Sequence, residues 1–113
     1  MFQNERYITR GIQNSIPQKL QLFMWSCVDI MPEPKDYLQV FRLSVCDGIQ
    51  RITHEQEQPP YKCEHLLTTI ENTITAKVYV IDDGDHSTML LAEEYKPNTN
   101  HEQAAMCSLL ISF

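Results

Sequence analysis

Two alternating runs of residues meet at Asp47-Gly48, and that dipeptide restricts the fold more than any other feature of the chain. Asp-Gly readily adopts the two positive φ angles of a two-residue hairpin connection, so it joins antiparallel neighbours. Upstream, Tyr37, Phe41, Leu43 and Val45 mostly alternate with Leu38, Arg42 and Ser44. Downstream the return strand covers residues 49–56, Pro59-Pro60 ends it, and residues 61–67 follow as a third antiparallel partner.

The other elements follow from the same patterning. Residues 73–81 form the strongest strand, with Ile74, Ala76, Val78 and Val80 on one face, and Asp82-Asp83-Gly84-Asp85 turns it into a last strand through Met89, Leu91 and Tyr95. Residues 6–12 alternate well enough for a first strand. Ser15-Ile16-Pro17-Gln18 sets a Ser before an early proline and a Gln three residues on, a capping-box start to a helix that Pro32 and Pro34 stop near Met31. After a linker at Pro97-Asn98-Thr99-Asn100, residues 101–113 read as a short helix. The expected fold is therefore α+β, with one long N-terminal helix packed on a mostly antiparallel sheet of five to six strands. A single domain is expected over residues 1–96, with 97–113 as a linker and C-terminal segment packing on it.

Size and charge narrow the function. At 113 residues with 42% hydrophobic, the chain can bury a core without staples, and no apolar stretch approaches the roughly 20 residues of a membrane span. No signal peptide is evident, and Cys27, Cys46, Cys63 and Cys107 contain no C-x-x-C pair, so reduced thiols and a cytoplasmic location are expected. The net charge is -6, and beyond Val80 the only base is Lys96 against Asp82, Asp83, Asp85, Glu93, Glu94 and Glu102. Such a segment repels phosphate backbones, so direct nucleic-acid binding is not expected.

On a helical wheel Ile16, Leu20, Phe23, Met24, Cys27, Ile30 and Met31 form the core face, which leaves Trp25 beside Leu22 on the far side. Either the C-terminal segment with Leu109, Leu110 and Phe113 covers Trp25, or a partner does. If Pro59-Pro60 marks a bend, His54 falls opposite His65 and Gln56 opposite Cys63, which puts His54, Cys63 and His65 on one sheet face. Two imidazoles and a thiolate suit zinc, with His86, Cys46 or solvent as a fourth ligand. No catalytic motif is present, adjacent strand residues such as Cys63-Glu64-His65 point to opposite faces, and three glycines build no phosphate loop. A non-enzymatic protein is expected.

The run Asn4-Glu5-Arg6-Tyr7-Ile8-Thr9-Arg10-Gly11-Ile12, the helical Leu20-Gln21-Leu22-Phe23-Met24-Trp25, and Ile74-Thr75-Ala76-Lys77-Val78 leading to residues 82–95 resemble the domain of unknown function 960 family. The resemblance covers most of residues 4–95 and brings no established active site. It implies a context in Firmicutes, their phages and mobile elements, where small acidic proteins act by binding host proteins such as restriction or CRISPR nucleases. The expected function is a small acidic protein-binding module, a mobile-element inhibitor of a host nucleic-acid-binding defence protein, with no cofactor. Its expected contacts to a basic partner surface are Leu22, Trp25, Asp82, Asp83, Asp85, Glu93 and Glu94. The alternative is a small zinc-binding structural or regulatory protein using His54, Cys63 and His65.

Overall fold

The computed structural model describes residues 1–95 and the backbone of residues 110–112. The chain forms β1 (Glu5–Thr9), α1 (Arg10–Ser15), α2 (Gln18–Ile30), β2 (Leu38–Cys46), β3 (Ile49–Gln56), β4 (Tyr61–Leu67), β5 (Ala76–Asp82) and β6 (His86–Leu91). A single 3-10 turn, Ala92–Glu94, and a short β7, Leu110–Ser112, complete the described elements. The sheet order is β4-β3-β2-β5-β6-β1-β7. It is mixed, because β1 runs parallel to β6, pairing Glu5 with His86 through Ile8 with Met89.

The expected single long helix on a mostly antiparallel sheet is therefore overturned. The helical region is split in two, and its longer piece, α2, has only 13 residues. Proline explains the split: the residue before a proline is pushed to extended backbone, and Ile16 takes φ -113, ψ 119 ahead of Pro17. α1 then occupies part of the segment assigned to a first strand, because the Thr9 hydroxyl accepts the Ile12 N–H at 3.3 Å and caps a new helix. The expected Ser15 cap is absent, since α2 starts from Pro17, whose carbonyl accepts the N–H groups of Leu20 and Gln21 at 3.0 and 3.1 Å.

The expected C-terminal helix is also corrected, since Leu110–Ser112 is a strand antiparallel to β1. The linker and the remainder of that segment lie outside the described residues. The β2–β3 hairpin is as expected: Asp47 and Gly48 have φ 52 and 77, the two positive angles the connection requires.

α2 buries Leu20, Met24, Trp25, Cys27 and Val28 in one cluster with Phe41, Leu43, Ile52, Val78, Val80 and Met89, which alternation places on one sheet face. Each such aliphatic side chain stabilises the fold by about 1.5–3 kcal/mol. The buried face is rotated from the one the wheel suggested. Trp25 is 2% exposed and Ile30 is 77% exposed. The cause is the position of the flanking strands. On one flank the Arg6 guanidinium of β1 sits 4.8 Å from the centre of the Trp25 ring and pairs with Asp29. On the other, Phe23 and Cys27 touch His65 of β4.

Candidate functional site

One end of the molecule collects the start of β1, the end of α2, the start of β2 and the turn between β5 and β6. Glu5 pairs with His86, Arg6 with Asp29, and the Asp82 N–H donates to the Tyr37 carbonyl at 2.9 Å. These contacts bring Asp29, Asp82, Asp83 and Asp85 to this end, while in the α2–β2 connection Glu33 pairs with Lys35 and the Asp36 carboxylate accepts the Gln58 N–H at 3.2 Å. Three large apolar groups stand exposed among them: Met1, Ile30 and Tyr37, at 54%, 77% and 51%.

Within this end Asp82 is an anchor. Its carboxylate accepts the Phe2 N–H at 2.7 Å, the Gly84 N–H at 2.8 Å and the Asn4 side-chain amide at 3.0 Å. Burial alone pushes this carboxyl up, but those hydrogen bonds and the nearby N-terminal ammonium outweigh it and hold it below the ordinary value. Asp83 accepts the Asp85 and His86 N–H groups at 3.2 and 3.1 Å, and its other oxygen lies 3.2 Å from His86 Nε2. Asp85 stays exposed. The turn is thus built by its own carboxylates, two of which are partly engaged.

The partner residues expected from sequence do not all assemble here. Trp25 is buried, so it offers no contact surface, while Leu22 is 50% exposed on the outer arc of α2. Glu93 and Glu94 lie beyond the far end of β6, a six-residue strand spanning about 20 Å. Glu94 is held by structure: it accepts from the Thr9 hydroxyl at 2.6 Å and the Leu91 N–H at 2.8 Å. It also packs on Gly11, where an added Cβ would approach the Glu94 carboxylate to 2.6 Å. Met1, Ile30 and Tyr37 were not foreseen. The only sequence signal was their position at the chain start, a helix end and a strand start, where core packing runs out.

The second cluster lies between α2 and β3–β4. His54 pairs with Cys63, and Gln56 with Tyr61, so the expected register is two residues off. A slip of two preserves the face, and His54, Cys63 and His65 do share one side of the sheet. They do not form a ligand set: among the described residues no three His, Cys, Asp or Glu side chains are placed to hold a metal ion. Cys46 is exposed on the opposite face and His86 stands at the acidic end. His54 is fully buried, stacked on Phe41 at 4.3 Å and edge-on to Tyr61 at 5.3 Å. Its Nε2 donates to Gln39 Oε1 at 2.7 Å, because the Gln39 amide nitrogen is already donating to Asp36 O and Gln56 Oε1. Its Nδ1 has no hydrogen-bond partner among the described residues.

Burial, with a smaller contribution from nearby His65, pushes the His54 pKa down to about 4, so the ring is neutral at pH 7. Burial, then proximity to Cys63, pushes the Cys27 thiol up to about 12. A thiol held protonated is a poor nucleophile. Within this cluster Cys27 Sγ lies 3.8 Å from His65 Nε2, and Phe23 meets the His65 ring edge-on at 5.1 Å.

Fold and surface together define a small α/β domain with a mixed sheet, one face covered by a broken helix and one end acidic. The chain belongs to the family described as Staphylococcal protein of unknown function (DUF960), whose profile matches residues 5–94. Its fold is similar to the crystal structure of a protein of unknown function from Enterococcus faecalis, with a TM-score of 0.71 and 22% identity over 82% of this chain and 92% of that one. No curated protein matches it. Among the described residues no helix is long and apolar enough to cross a membrane.

Proposed function

We propose that this chain is a protein-binding module that docks its acidic end onto a basic surface of a partner. The carrying observation is the exposure of Ile30 and Tyr37 beside Asp29, Asp82, Asp83 and Asp85. Exposed apolar groups give a contact its short-range affinity, and surrounding like charges select an oppositely charged partner and speed the encounter. A host defence protein with a basic nucleic-acid groove fits this chemistry, since the acidic end would occupy the place of a phosphate backbone. On this reading the module acts as an antagonist by occupancy.

The test is capture from a lysate of the host cell, followed by binding measurements on the recovered protein. One dominant basic partner is expected. Its affinity should fall as salt rises, fall about tenfold or more for Ile30→Asp, and fall for Asp83→Lys combined with Asp85→Lys. Capture of nothing, or a partner indifferent to all three changes, refutes the reading.

A further inference from the structure

The sheet has one long open edge. β4 ends the strand order, with no further strand beyond it among the described residues, whereas the opposite edge is the three-residue β7. Hydrogen-bonded and non-bonded pairs alternate along an antiparallel ladder, and the pair that closes a two-residue hairpin, here Cys46 and Ile49, is bonded. Counting from it, Gln50, Ile52, His54 and Gln56 turn their backbone groups to β4, where they meet Leu67, His65, Cys63 and Tyr61. The N–H and C=O groups of Lys62, Glu64 and Leu66 therefore point away from the sheet. The strand has no proline, glycine or bulge to blunt it, and Leu66 is 55% exposed. An edge of this kind is a template for another strand.

We infer that β4 pairs antiparallel, about a twofold axis, with β4 of a second copy of this chain, in the register that sets Lys62 opposite Glu64 of that copy. Charge selects both occupant and register. A twofold pairing through the free backbone groups has few choices. Setting Glu64 on Glu64, or Lys62 on Lys62, places like charges directly opposite, which destabilises a strand pair. Centring it on His65 sets Glu64 against Leu66 and leaves both lysines without a carboxylate across the strand. Centring it on Cys63 forms two Lys62–Glu64 pairs and lays exposed Leu66 against exposed Pro60 of the second copy. There the Leu66 N–H meets the Pro60 carbonyl, while the Leu66 carbonyl, opposite the N–H that proline lacks, is left to water at the end of the ladder. The resulting row continues the charges already on this face, where Arg51 pairs with Glu64 and Arg42 with Glu55. The inference concerns a different surface from the acidic end and does not rest on the partner reading.

Sedimentation equilibrium of the full chain tests it. A reversible dimer is expected. Lys62→Glu gives two acidic residues and Glu64→Lys two basic ones at these positions, so each variant alone repels itself and should dimerise about tenfold more weakly or worse. Mixing the two variants in equal amounts makes both cross-strand pairs complementary and should restore a dimer, seen as a heterodimer by native mass spectrometry. Circular dichroism reports folding, and if Glu64→Lys does not fold, Lys62→Glu alone must still be monomeric. A wild-type chain that is monomeric at millimolar concentration, a dimer that survives in the single variants, or folded variants that fail to pair on mixing overturns the inference.

Discussion

Acidifying this protein from pH 7 to pH 5 should cost it stability through His54. The ring is fully buried, its Nε2–H is committed to Gln39, and its Nδ1 has no partner among the described residues to receive a proton's bond. Folding lowers its pKa from 6.5 to about 4, with burial the main cause. Below pH 6.5 the unfolded chain therefore binds the proton first, so the contribution is present above 6.5 and is lost as pH falls through the window to 4. With each pKa unit worth about 1.4 kcal/mol, the loss is about 2 kcal/mol by pH 5 and about 3 kcal/mol by pH 4. Urea unfolding at pH 7, 6 and 5 measures it, read by the fluorescence of Trp25, the one tryptophan and a buried one. His54→Gln keeps an N–H donor near Gln39 but cannot titrate, so it should lose about 2 kcal/mol less than wild type between pH 7 and pH 5. Parallel pH dependences of the two proteins would refute the reasoning.

Three further outcomes follow from the same structure. Asp82→Asn removes a charged acceptor from the Phe2 and Gly84 N–H groups and should destabilise the fold by about 1.5–3 kcal/mol by urea melt. Because the Asp82 carboxyl is held below its ordinary value, its contribution is present above that value and lost as pH falls beneath it, so the variant should flatten the acid limb below the His54 window. Thr9→Ala removes the α1 cap and the donor to Glu94 and should cost about 1–2 kcal/mol, with Thr9→Ser recovering most of it. Added zinc should leave the thermal midpoint of dialysed protein unchanged, since His54 Nε2 is engaged and the described His and Cys side chains form no ligand set; a rise of several degrees would reinstate the zinc reading.

The family was legible in the sequence, through the residues 4–12 run and the segment from Ile74 to Tyr95, and the profile match over residues 5–94 bears it out. β3 and β4 were legible to their bounds, because local chemistry sets them: Asp47-Gly48 fixes one turn and Pro59-Pro60 interrupts the ladder at the other. The common face of His54, Cys63 and His65 was also legible, since side-chain parity survives any slip of two. Their true pairing was not, because a proline pair does not say how many residues a turn consumes. Trp25 shows the limit most clearly. A helical wheel gives its angle around α2 but not the direction of the sheet, and that direction is decided by β1, which reaches the flank of α2 by pairing parallel with a strand some 80 residues away. The same pairing sets Arg6, and through it Asp29 beside Ile30, next to the strand that leaves the 82–85 turn, and the β2–β5 pairing brings Tyr37 there. Turns and strand parity depend on neighbouring residues and can be read along the chain, whereas which faces are covered depends on contacts between distant segments, and only the tertiary structure brings those together.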